Sequence, residues 1–269
     1  MPRSPEIKSP AHSIEGLTMK RTLIAALFIS LLFVPLLAQK QTLTPSKTAL
    51  QFYRLLKDKK YTEGFRLSVY RWAVEGLKPD EIKDLESDFT RTFSAIPDRM
   101  EAAGEEVTGD TAVVLLKFAG APEPQQVGLV LVDGEWLVGD KESLDLVRKQ
   151  GATYFFNARI AENENETFRM LLRLVGAETI YLQKRGQIAS LQDLIRLKGV
   201  PKDIEDADAL GYRITLEVSS DKQSFFALAT PLVYGRTGRL SFYADADGIR
   251  AEDLKGKPAS ANSPPFQFR

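Results

Sequence analysis

Val107-Thr-Gly-Asp-Thr-Ala-Val-Val-Leu-Leu-Lys-Phe118 decides the fold class, because the hydrophobic period changes there. The stretch is rich in β-branched residues and contains a turn signal at Gly109-Asp110, so it reads as strand. Downstream, Val127–Val132 and Glu135–Val138 are two short apolar runs joined by Asp133-Gly134, a strong two-residue hairpin signal. Upstream the spacing is helical. Thr44 is a capping residue, Pro45 suits a first turn, and Ala49, Phe52, Tyr53 and Leu56 recur at helical intervals. Tyr61–Ala73 begins a second helix. After the break at Lys78-Pro79-Asp80-Glu81, Ile82, Leu85, Phe89 and Phe93 continue the helical spacing to Pro97. Helices followed by a meander of antiparallel strands predict an α+β roll over residues 43–148.

A second grammar follows a joint at residues 149–157, which carries Tyr154-Phe155-Phe156. From Ala158 a long helix is expected, with Ala161, Phe168, Leu171, Leu172, Val175, Thr179 and Leu182 as its apolar stripe and Gly186 as its stop. Its early acids and late bases suit the helix dipole. Ser190 caps a short helix at Leu191–Ile195. Tyr212, Ile214, Leu216 and Val218 alternate as a strand with one buried face. Phe226–Thr230, Leu240–Ala244 and Ile249–Ala251 give three more, the last two joined at Asp247-Gly248. Residues 258–269, rich in proline, read as a low-order tail. The whole is α+β in two domains, 43–148 and 158–257.

Thr44-Pro45, Ala49, Phe52-Tyr53, Leu56, Lys60-Tyr61 and Gly64-Phe65, with the closing Leu131-Val-Asp-Gly-Glu-Trp136-Leu-Val, resemble nuclear transport factor 2-like (SnoaL-type) domains. The resemblance implies a curved sheet wrapped by helices, with an apolar pocket at the open end of a cone. Tyr53, Trp72, Phe89 and Trp136 are then its candidate lining, with Phe52, Phe65 and Phe93 in the same interior. The second half is similar to the soluble head of type IV pilin-like and type II secretion pseudopilin-like proteins. The residues that carry this likeness are Ala158-Arg159, Asn163-Glu164, Leu171-Leu172, Ala177-Glu178, Tyr181, Ser190-Leu191 and Leu194. Gly211-Tyr-Arg-Ile214, Phe226-Ala-Leu-Ala-Thr-Pro231 and Gly238-Arg-Leu-Ser-Phe-Tyr243 complete it. The chain departs from pilins in having its apolar segment far upstream, before another domain, with no Glu after it. That departure argues against a minor filament subunit.

Met19-Lys20-Arg21, then the apolar run Leu23–Ala38 ending in a small residue, has the three-part layout of a secretory signal peptide. Cleavage is expected after Ala38, and residues 1–18, with three prolines, read as an extension ahead of the true start at Met19. The run is shorter than the roughly 20 residues of a spanning helix. An inner-membrane anchor at residues 23–38 is the alternative, and the only route to a membrane. The expected location is therefore the periplasm or the exterior.

Composition narrows the chemistry. There is no cysteine, and His12, the only histidine, lies ahead of the cleavage point. Thiol and imidazole nucleophile systems are thereby excluded from the mature chain, as are zinc and copper sites. Thirty-six Lys and Arg against 36 Asp and Glu give zero net charge. That balance gives no electrostatic reason to expect nucleic acid. Asp245 and Asp247 are weak calcium candidates, because calcium needs six to eight oxygens and the spacing lacks a ligand ladder. Glu105, Glu106 or Asp140, with Tyr53, Tyr61 or Tyr70, would be the groups of a proton-transfer site in the cone. Tyr154, Phe155 and Phe156 need burial, so they are candidates for contact between the domains or with a partner. The expected role is non-catalytic binding or scaffolding in a bacterial cell envelope, near a secretion or pilus system. The partners are envelope proteins or a small apolar ligand, and no cofactor is implied.

Overall fold

A computed structural model of the chain describes residues 43–266, all within one compact unit. The expected signal segment and the Met19 start lie outside the described residues. Among the described residues no helix is long and apolar enough to cross a membrane.

The first half begins with four helices: α1 (Pro45–Lys57), α2 (Tyr61–Phe65), α3 (Arg71–Glu75) and α4 (Pro79–Phe93). Thr44 Oγ1 accepts the Lys47 N–H, and Pro45 occupies the first turn, where no N–H is needed. At α4, Glu81 Oε2 accepts the Lys78 N–H at 3.0 Å, closing the helix start from within. Strands β1 (Met100–Thr108), β2 (Thr111–Phe118), β3 (Gln125–Val132) and β4 (Glu135–Val138) follow as an antiparallel meander in sequence order. Val132 pairs with Glu135 across Asp133-Gly134, both with positive φ, as a type I′ hairpin requires. β1 starts seven residues before Val107, where the sequence suggests no strand. Its residues lie largely exposed on both faces, so they carry no alternation to read.

The interior between these helices and the sheet is occupied by Phe52, Leu56, Phe65, Leu85, Leu116 and Leu129, all buried. Helix α5 (Lys141–Gln150) crosses the far face of the sheet, where Leu144 joins Val69, Val130 and Leu137 in a smaller cluster.

The joint is not a linker. Residues 151–153 form a 3-10 turn, and Tyr154 already opens α6 (Tyr154–Arg185), a helix of 32 residues. Gln150 Oε1 accepts from Asn157 Nδ2 at 2.8 Å across the turn, and Ala152 packs so close to Gly76 that a Cβ there would lie 2.8 Å away. Short helices α7 (Leu191–Arg196) and α8 (Ala207–Leu210) lead into the second meander, β5 (Tyr212–Val218), β6 (Phe225–Pro231), β7 (Ser241–Asp245) and β8 (Gly248–Glu252). The β7–β8 loop is Ala246-Asp247, one residue earlier than the Asp247-Gly248 expectation, with Asp245 opposite Gly248.

Two further expectations for this half are corrected. The buried positions of α6 are Phe156, Ile160, Thr167, Leu171, Leu174 and Glu178, whereas Leu172 is half exposed. Thr167 and Glu178 hold core positions, so polar residues interrupt the true stripe and shift the apparent one. The end of the chain is also ordered through Phe266. Ala251 N–H donates to Pro264 O and Phe266 N–H to Ile249 O, which adds the segment to the β8 edge. The Phe266 ring packs on Phe168 and Phe242. Ala259 and Ser263 are buried, and Ser263 Oγ donates to Glu252 Oε2 at 2.9 Å. Proline excludes this tail from regular structure but not from packing.

Glu178 is fully buried. Its Oε2 accepts the Ala189 N–H at 2.9 Å, and its Oε1 meets no partner among the described residues. Burial pushes its pKa up to about 6 from 4.5; the Ala189 bond opposes this and Asp193 adds to it. The folded protein therefore holds this proton more tightly than the unfolded chain does. The stabilisation is complete below pH 4.5 and is lost as pH rises through about 6, a change of about 2 kcal/mol. Urea unfolding of wild type and Glu178→Gln at pH 4.5 and 7.5 checks this: the variant should gain about 2 kcal/mol relative to wild type between the two pH values. An unchanged difference contradicts it.

Candidate functional site

The first turn of α6 brings the two halves together. Phe155 sits 5.0 Å from Phe65 and 5.0 Å from Phe89, ring centre to ring centre, and Tyr154 lies 5.4 Å from Tyr70. Phe65 and Phe89 meet edge to face at 4.9 Å, with Phe93 one turn further along α4. These rings come from α2, α4 and α6, and from Tyr70 at the start of α3. They wall a cleft of about 650 Å3, closed on another side by Ala209 and Leu210 of α8.

A polar rim sits over the rings. Arg159, one turn beyond Phe155, donates from Nε to Asp88 Oδ2 at 2.6 Å and from Nη1 to Asp84 Oδ1 at 3.1 Å. Its Nη2 donates to the Asp84 carbonyl at 2.7 Å. Asp84 and Asp88 share one face of α4 because they are four residues apart. Arg91 Nη2 also donates to Asp88 Oδ1, at 3.0 Å. Asn163 Nδ2 is held by the Thr237 carbonyl at 2.9 Å, and Glu166 pairs with Arg169. Glu162 lines the cleft without a partner among the described residues. Burial first, and then Tyr154, push the Tyr70 hydroxyl up to about 12, so it stays protonated at neutral pH.

Next to the cleft, Phe156 belongs to the first core, and its ring carries two guanidinium groups, Arg236 at 4.0 Å and Arg159 at 5.4 Å. Arg236 also donates to Glu81 Oε1 at 2.6 Å, and that bond, after the Lys78 N–H, helps hold the Glu81 carboxyl below its usual range.

Of the four residues expected to line a cone pocket, only Phe89 reaches this cleft. Tyr53 packs edge-on against Phe52 and Phe118. Trp136 packs against the first core. Trp72 lies with the Val69, Val130, Leu137 and Leu144 cluster, under the Arg148 guanidinium at 4.5 Å. The carboxylates considered for proton transfer do other work. Asp140 caps α5 by accepting the Ser143 N–H at 2.7 Å, and Glu105 accepts the Ser46 N–H at 2.8 Å in the first turn of α1. Glu106 is exposed on β1, while Tyr61 shares a hydrogen bond with Thr90. Asp245 and Asp247 flank a hairpin loop, where Asp245 Oδ1 accepts the Asp247 N–H at 2.9 Å. Among the described residues no three metal-ligating side chains cluster.

Sequence reading missed Asp84, Asp88 and Arg159 as a unit. The one local signal was the matched spacing of Asp84/Asp88 with Phe89/Phe93 on α4. Their partner, 71 residues away from Asp88, left no trace in that spacing. No family model, no curated protein and no solved structure matches this chain significantly.

Proposed function

We propose that this chain is an exported, two-domain, non-catalytic binding protein of a bacterial cell envelope, and that the cleft between α4 and α6 takes a small, largely apolar molecule. The observation that carries this reading is the aromatic cleft itself. Its volume falls within the few-hundred to thousand Å3 range of ligand pockets, and six rings with a few fixed polar groups are the usual lining of one. The rim supports binding over chemistry, because Asp88, Arg159 and Asn163 are each committed to a protein partner. Export is supported by Met19-Lys20-Arg21 and the apolar run after it. The pilin-like pattern of residues 158–257 supports a place near a secretion or pilus system.

A thermal-shift series with 2-naphthol as a neutral aromatic probe tests the cleft. At a probe concentration of about 100 times Kd, binding stabilises by about 2.7 kcal/mol, which raises Tm by roughly 5–10 °C. Ala158→Trp places an indole in the cleft from an exposed position and should abolish the shift while leaving the unliganded Tm near wild type. No shift in wild type, or an equal shift in the variant, rejects the reading.

A further inference from the structure

A second groove lies at the far end of the molecule, where β6 and β7 part. β6 stays paired with β5 as far as Phe225, but its pairing with β7 ends at Ala227–Ala244. Beyond that pair, Phe226 and the Ala246-Asp247 loop diverge, opening a groove of about 820 Å3. Its outer wall is aromatic. Phe226 and Tyr243 are diagonal neighbours across the strands, stacked at 5.6 Å with only 14° between ring planes, and Leu228 extends the apolar surface. Phe226 is 37% exposed, so this stack faces solvent.

Around the stack stand three carboxylates, Glu217, Asp245 and Asp247. Glu217 and the Asp247 carboxylate have no hydrogen-bond partner among the described residues, while Asp245 accepts from the Asp247 N–H and from the Tyr243 hydroxyl. Among the described residues no Lys or Arg lines the groove. Of the nearby cations, Lys222 is within electrostatic reach of Asp193, and Arg250, opposite Tyr243 on β8, acts on the Tyr243 hydroxyl from outside the lining. An exposed π surface beside three carboxylates, two of them without a hydrogen-bond partner among the described residues, attracts one ligand chemistry above others. A guanidinium or ammonium stacks on the ring face and is neutralised at its edge by carboxylate. A groove that opens where β6 leaves β7, with strand-end residues of β5 and β6 in its lining, suits an extended chain carrying such groups.

We infer that the Phe226–Tyr243 groove, with Glu217, Asp245 and Asp247, is a docking site for an extended basic segment of a partner protein. The site is separate from the α4–α6 cleft and does not depend on it.

Fluorescence anisotropy with a dye-labelled peptide alternating arginine and serine tests this on the full mature chain, with glutamate–serine and tyrosine–serine peptides of equal length as controls. The arginine peptide should bind saturably and more weakly as salt rises. Phe226→Ala, which removes an exposed ring, should weaken it about tenfold. Glu217→Gln with Asp247→Asn should weaken it at least as much, with unchanged thermal melting. Absence of binding, or equal binding by all of these variants, overturns the inference. Equal binding of the tyrosine peptide would likewise replace a basic partner with an apolar one and overturn it.

Discussion

Gly238→Ala should lower stability by about 3 kcal/mol or more, near the upper end of what overpacking a core costs. Gly238 is buried, and a Cβ there would stand 2.0 Å from Tyr212 Oη and 2.4 Å from its Cζ. Neither neighbour can yield cheaply. Tyr212 is fully buried, and its hydroxyl donates to the Leu240 carbonyl at 2.8 Å. Turning the ring aside breaks that bond and disturbs its edge-to-face contact with Phe242. Moving the loop instead displaces Arg236 from Glu81 and the Thr237 carbonyl from Asn163. For a unit of this size the cost corresponds to a fall in Tm of roughly 10 °C. Gly176→Ala is the control: it lies in α6 with open space around it, where alanine should be neutral or slightly stabilising. A Gly238→Ala protein melting within about 2 °C of wild type would refute the packing account.

Arg159→Ala should cost about 2–3 kcal/mol in urea unfolding. Its side chain is 9% exposed, while Asp84 and Asp88 are 47% and 24% exposed. Removing one member of a fully buried pair costs roughly 3–5 kcal/mol, and the half-solvated acids reduce that figure here. Arg91 remains to hold Asp88 after the substitution. Arg159→Lys keeps the charge but cannot fork between two carboxylates, so it should recover less than half of the loss. Because Arg159 joins α4 to α6, its loss should also broaden the unfolding transition as the two cores begin to melt apart. A double-mutant cycle with Asp88→Ala should give a coupling of about 1 kcal/mol or more. A coupling near zero would mean that the two side chains are neighbours without mutual stabilisation.

Much of the α+β architecture is legible from local pattern. Thr44-Pro45, Asp133-Gly134, Ser190 and the alternation from Tyr212 to Val218 all mark what they form, because caps, type I′ turns and half-buried strands are set by neighbours in sequence. β1 escapes notice because it buries little, and the stripe of α6 is misplaced because Thr167 and Glu178 sit where apolar residues are expected. The candidate site was legible only as aromatic residues in want of burial. Phe89 and the Tyr154-Phe155-Phe156 run were recognisable as such. That Phe155 would meet Phe65 and Phe89, under an Arg159 clamped by α4, depends on contacts across 66 to 90 residues, which no periodicity encodes. Trp72 shows the converse: the resemblance to a cone-shaped domain implied a place in a pocket lining, but the chain turns it to the other face of the sheet.

The early start of α6 bears on where this chain can be divided. The change of pattern near residue 148 invites a cut there, yet Phe155 and Phe156 complete the first core from beyond it. A fragment ending at 148 would leave Phe65 and Phe89 facing water on one side, whereas one reaching Arg159 would carry its own closure. During synthesis the same dependence applies. The N-terminal half cannot seal its interior until the first turns of the long helix have left the ribosome, but it needs no strand of the second sheet to do so.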